Sequence, residues 1–166
     1  MQLEEFYNYK NQLMKDILTS PEIVSLLDDR LDMANAEQLR YTQVFPYEYV
    51  PETIQEGKTY ICFDVDIQKA YNKSFLEATV YVWVFSHRHA LRLPGGEGVR
   101  PDKICCEVCK LLNGSRMYGL GELDFYSSKR FAPLTDYLGK CLTFTATDTN
   151  RQYDGTKPVP ANRRVG

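Results

Sequence analysis

The chain has 166 residues, 43% apolar and 25% charged, with a formal net charge of −2. That length suits one domain able to bury roughly two thirds of its extended surface. The near-neutral balance, with no block of like charge, excludes the strongly basic footprint of a duplex-binding module and argues against specific nucleic-acid binding. No run of about 18 apolar residues is present to cross a membrane as a helix. The five cysteines are an odd count. With no signal-peptide pattern in MQLEEFYNYK, they read as reduced thiols in a cytoplasmic setting. Twelve Tyr among 13% aromatic residues point toward interfaces, where Tyr is enriched.

Leu3, Phe6, Tyr7, Leu13, Met14, Ile17 and Leu18 recur at helical spacing, which predicts an amphipathic helix over residues 3–18. Ser20 is a natural N-cap, with Pro21 at the first helical position, so a second helix is expected from Pro21 to about Asp29. Residues 30–57 show no clear period. Within them lies Val44–Pro51, VFPYEYVP. Its two prolines block regular pairing, while Phe45, Tyr47 and Tyr49 demand burial. This segment is expected to lie across a surface, its own or a neighbour's.

Ile61, Phe63, Val65 and Ile67 alternate with Tyr60, Cys62, Asp64 and Asp66, giving a first strand from about Lys58 to Ile67. After the polar connection Gln68–Ser74 comes Phe75–His89, FLEATVYVWVFSHRH. This strand is apolar on both faces and needs covering twice. A register that keeps the apolar faces together pairs Ile67 with Leu76, Val65 with Ala78 and Phe63 with Val80. The Gly-rich stretch Leu93–Gly98 breaks the chain. A helix follows from about Arg100 to Leu112, stopped by Asn113-Gly114. Its apolar stripe is the expected cover for Val80, Val82 and Val84. The Tyr81, Trp83 and Phe85 face is left to the N-terminal helix, a neighbouring subunit, or both.

Strands are expected at about 117–126 and 140–148. Residues 150–166 carry almost no apolar material and read as a flexible or partner-docked tail. The expectation is an α+β fold: one domain over residues 1–149, with helices on a small, mostly antiparallel four-stranded sheet in the order α-α-β-β-α-β-β.

Asp64-x-Asp66 and His87-x-His89 form the tempting metal set. The register places His87 opposite about Glu56, so the two pairs stand some 26 Å apart at roughly 3.3 Å per residue. Metal bonds of about 2 Å exclude a shared ion. Asp64 and Asp66 then read as solvated carboxylates near Lys69 and Lys73, and His87-Arg88-His89 as a polar strand exit. Cys106-x-x-Cys109 lacks a second pair at ligand spacing, and packing is the favoured role for Cys105 and Cys109. Gly95-Gly96-Glu97-Gly98 lacks the spacing of a phosphate loop. No GxSxG elbow occurs, and both histidines lie in one tripeptide. The expectation is a non-enzyme with no catalytic residue, metal or cofactor. A small metal-binding enzyme using His87 and His89 is the rival class, and a monomeric intracellular adaptor a third.

Three segments carry a resemblance to a known family. These are Val44–Pro51 ahead of the first strand, TVYVWVFSH leading into the Gly-rich loop, and the KICCEVCKLLNG helix. Together with the order of elements over residues 3–148, they make the chain resemble the neck proteins of long-tailed bacteriophages, above all the tail terminator or tail-completion family. The resemblance implies a virion protein made in the bacterial host cytoplasm. It further implies a homohexameric ring that caps the tail tube and joins it to the head connector or stopper, with self, tail tube protein and connector as partners. Head-side connector and stopper proteins of the same neck are the nearest alternative. Phe45, Tyr47, Tyr49, Tyr81, Trp83 and Phe85 are the interface candidates.

Overall fold

The computed structural model describes residues 3–52, 57–69 and 74–149 of the chain. Most of the Gln68–Ser74 connection and the whole 150–166 tail lie outside the described residues.

Helix α1, Leu3–Leu18, follows its apolar period and buries Tyr9, Leu13, Met14, Ile17 and Leu18. Ser20 Oγ accepts from the Ile23 amide at 3.4 Å and caps α2, Pro21–Leu27. That helix stops short of Asp29 because Asp28 is already extended, with φ −152°. The aperiodic region holds a 3-10 helix, Met33–Leu39, which buries Ala36 and Leu39. In a 3-10 helix residues three apart share a face, so a search at period 3.6 misses it. The third helix, α3, spans Arg100–Leu112 as expected and ends at Asn113, with Gly114 at φ +74°.

The sheet has five strands among the described residues, in the order β1-β2-β3-β5-β4, where four were expected. These are β1 Val44–Phe45, β2 Thr59–Lys69, β3 Phe75–His87, β4 Asp124–Phe131 and β5 Tyr137–Thr149. The added strand is only two residues long. It pairs parallel with Ile61 and Cys62 before Pro46 ends it, whereas every other pairing is antiparallel. In the β2–β3 hairpin Ile67 faces Ala78, Val65 faces Val80 and Phe63 faces Val82. The expected register was therefore two residues off. A two-residue slip leaves every side chain on its own face, so apolar patterning alone does not detect it.

The strand expected at 117–126 starts at Asp124 instead. Before it the chain turns through Gly119 and Gly121, both at positive φ, and inserts Tyr118, Leu120 and Leu123 into the core. Three buried residues at near-alternate positions imitate a strand while the glycines make a turn.

All three α-helices pack on one face of the sheet. Val80, Val82 and Val84 are fully buried there with Ile61, Phe63, Leu142 and Phe144. Each such side chain contributes about 1.5–3 kcal/mol relative to exposure. The N-terminal helix shares this face with α3, and Tyr9 meets Phe63 edge-on at 6.5 Å. It is therefore not the cover for Tyr81, Trp83 and Phe85. Polar side chains lock the layers. Gln43 Nε2 donates to the Leu27 and Thr59 carbonyls at 3.0 Å each. Arg100 donates to the Ala90 and Leu26 carbonyls at 2.8 and 2.7 Å, fixing the start of α3 to the end of α2.

Candidate interaction surface

The second face of the sheet is built by alternate residues of the same strands. Register sets Tyr60 beside Phe85, Cys62 beside Trp83, and Asp64 beside Tyr81. On the other side of β3, Phe85 faces Gly139, Trp83 faces Cys141 and Tyr81 faces Thr143. Gly139 has no room for a side chain, since a Cβ there would stand 1.8 Å from the Val84 carbonyl oxygen. Its two cross-strand partners, Phe85 and Phe131, bring their rings to 5.6 Å. Aromatic rings closing over a strand glycine compensate for its missing side chain.

Val44–Pro51 lies over one end of this face within the same chain. Phe45 stacks on Tyr49 with centroids 3.9 Å apart and approaches Tyr60 at 6.4 Å. Tyr60 stacks on Phe85 at 5.3 Å, and Tyr137 closes edge-on against Phe85 at 5.9 Å. Offset and edge-to-face pairs at these separations stabilise by about 0.5–1.5 kcal/mol each beyond area burial. Cys62 Sγ donates to the Tyr49 carbonyl at 3.7 Å, and burial pushes its thiol up to about 12. Burial also raises Tyr60.

Beyond this cluster the face opens. Tyr81 and Trp83 stack at 5.7 Å with nearly parallel rings, both half-buried. Desolvation raises the Tyr81 phenol first, followed by the Asp66 charge and its hydrogen bond. Asp64 is held by Lys10 of α1 at 2.9 Å, and the same Nζ donates to the Pro46 carbonyl at 2.7 Å. The carboxylate expected to be solvated near Lys69 and Lys73 is therefore an anchor between α1 and the Val44–Pro51 strap.

The six candidates divide accordingly. Phe45 and Phe85 are 4% and 0% exposed and belong to the chain's own second cluster, so they present little surface to a partner. Tyr47 is 45% exposed, while Tyr49, Tyr81 and Trp83 are half-buried on the open side. Tyr60, Phe131 and Tyr137 complete the cluster without having been singled out. Tyr60 alternates with Asp64 and Asp66 and so reads as part of a polar face, and Phe131 and Tyr137 join only through register. His87 is buried instead of making a polar exit. The chain folds into a short 3-10 turn, Arg88–Ala90, and the His87 ring packs edge-on to Tyr137 at 5.4 Å. His87 Nδ1 accepts from the His89 amide at 3.3 Å. His87 N also bonds to the Lys58 carbonyl, which keeps it six residues of β2 from Asp64, about 20 Å. Cys105 is buried, Cys109 partly so and Cys106 exposed.

These features define an α+β fold whose sheet packs against helices on one side and is partly covered by an aromatic strap on the other. The YomW family model matches residues 20–146, and the chain belongs to the YomW family. A chain in the structure titled "Virion of native gene transfer agent (GTA) particle" is similar at 19% identity and a TM-score of 0.49, over 82% of this chain and 92% of that one. No curated protein matches this chain.

Proposed function

We propose that this chain is a structural protein of a phage-type virion, a tail-terminator subunit that forms a homohexameric ring. The ring caps the tail tube and joins it to the head connector or stopper. The observation that carries the reading is the open half of the second sheet face. Tyr81 and Trp83 lie stacked and half-buried on a sheet whose other side carries the helices, and Tyr47 is exposed on the strap. A half-covered aromatic face suits a subunit that completes its burial within an assembly. The three segments that carry the family resemblance fall on the strap, on β3 and on α3, the parts that build this face and its support. Membership of the YomW family supports the phage-type virion part of this reading.

Deletion of the gene from the particle-producing genome tests it. The expected result is heads and tails that fail to join, with tails of uncontrolled length and rescue by the gene supplied in trans. Unjoined tails of normal length would assign the chain to the head-side connector or stopper instead. Normal particles from the deletion would refute a virion role.

A further inference from the structure

A second surface lies on the helical side, away from the aromatic strap. A groove of about 590 Å³ runs between the start of α3, the loop before it and the β4–β5 end of the sheet. That volume is in the ordinary range for a built binding site. Val99 and Leu138, 44% and 41% exposed, form its apolar body. Arg92, Arg130 and Lys140 border it against one carboxylate, Asp102. Among the described residues none of these four groups is in an ion pair. The groove therefore suits an apolar segment that carries negative charge.

The chain supplies such a segment at the start of α1. Leu3 and Tyr7 are 66% and 72% exposed and sit one helical turn apart on one face, with exposed Glu4 beside them. This end of α1 lies near Gly119, Gly121 and Thr147, while the groove lies at Gly139 and Lys140. Gly139 to Thr147 is about 26 Å along β5 at roughly 3.3 Å per residue. A subunit's own α1 does not reach its own groove, whereas a second copy's can.

We infer that the groove receives the first turns of α1 from a neighbouring copy of this chain, with Leu3 and Tyr7 on its apolar body and Glu4 among Arg92, Arg130 and Lys140. Two different surfaces then meet, so the contact is head-to-tail, the kind that closes into a ring when the rotation permits. This inference rests on the ring reading above and names the contact that would build the ring.

Disulfide trapping tests it in the full chain with Cys106→Ser, which removes the exposed thiol. Tyr7→Cys and Leu138→Cys are placed in one chain at exposed positions, where substitution disturbs folding little. Mild oxidation is expected to give a ladder of linked chains, whereas a mixture of the two single variants stops at dimers. Adding Glu4→Lys should lower the yield at least fivefold, and Arg130→Glu should restore it. Cross-linking no greater than that of a Tyr7→Cys, Tyr126→Cys control overturns the inference, as does indifference to charge reversal, which would leave the groove to an acidic partner protein. Solution mass separates the two failures. A ring lacking this cross-link overturns the contact alone, and a monomer lacking it overturns the contact and the ring together.

Discussion

Phe45→Ala is the sharpest probe of how the second face is covered. Phe45 is 4% exposed and is the ring through which the Val44–Pro51 strap reaches Tyr49 and Tyr60. Truncating a buried Phe to Ala costs about 3–5 kcal/mol when the site cannot collapse. Here the cluster is small and opens to solvent beyond Tyr49, so the lower end applies, about 3 kcal/mol. The stacked pair with Tyr49 accounts for about 0.5–1.5 kcal/mol of that. Trp83, the single tryptophan, lies 6.5 Å from Phe131 on the same face, so its fluorescence in a urea titration reports the transition. Tyr47→Ala, at a 45% exposed ring, is the matched control and should cost under about 1 kcal/mol. The strap also holds the Tyr49 carbonyl over Cys62, so Phe45→Ala should make Cys62 reactive toward alkylation without global unfolding. A Phe45→Ala protein within about 1 kcal/mol of the parent, with Cys62 still inert, would refute a strap anchored by this ring.

Gly139→Ala should be among the most damaging single substitutions, above about 3 kcal/mol in a denaturant titration or insoluble on expression, because its methyl meets the Val84 carbonyl. Tyr9→Phe should be neutral or stabilising by about 1 kcal/mol in a thermal melt, since the buried Tyr9 hydroxyl has no hydrogen-bond partner among the described residues. Native protein at pH 8 should be alkylated first at Cys106, with Cys62 and Cys105 labelled only on unfolding, as read by peptide mass mapping. Burial lifts both of those thiols from an ordinary value of 9 to about 12. The unfolded chain loses these protons first, so their contribution to stability is complete below pH 9 and is lost as pH rises toward 12. Alkaline titration of the unfolding midpoint should show that decline, and Cys62→Ala should flatten it.

Local signals carried the helices. The apolar stripe of α1, the Ser20-Pro21 start of α2 and the Asn113-Gly114 stop of α3 each act within a turn or two of chain. The alternation in β2 and β3 placed both strands and their faces. What escaped depends on distant parts of the chain. β1 is a strand only because two residues meet Ile61 and Cys62, and the hairpin register differs from its two-residue alternative by no change of face. For the surface, Val44–Pro51 was legible as a segment that must cover something, since its aromatics conflict with its prolines. That Phe45 and Phe85 would be buried within the chain's own cluster was not, because Tyr60, Phe131 and Tyr137 come from three strands and only register unites them. The burial of His87 follows likewise from Tyr137, fifty residues further along the chain.

The most direct test of the ring-subunit account is single-particle electron microscopy of particles from the genome that encodes this chain. Six copies are expected in a closed ring at the head-proximal end of the tail tube, with Tyr81 and Trp83 buried against another protein chain. Particles whose neck lacks this chain, or a ring in which the Tyr81–Trp83 face stays open to solvent, would contradict it.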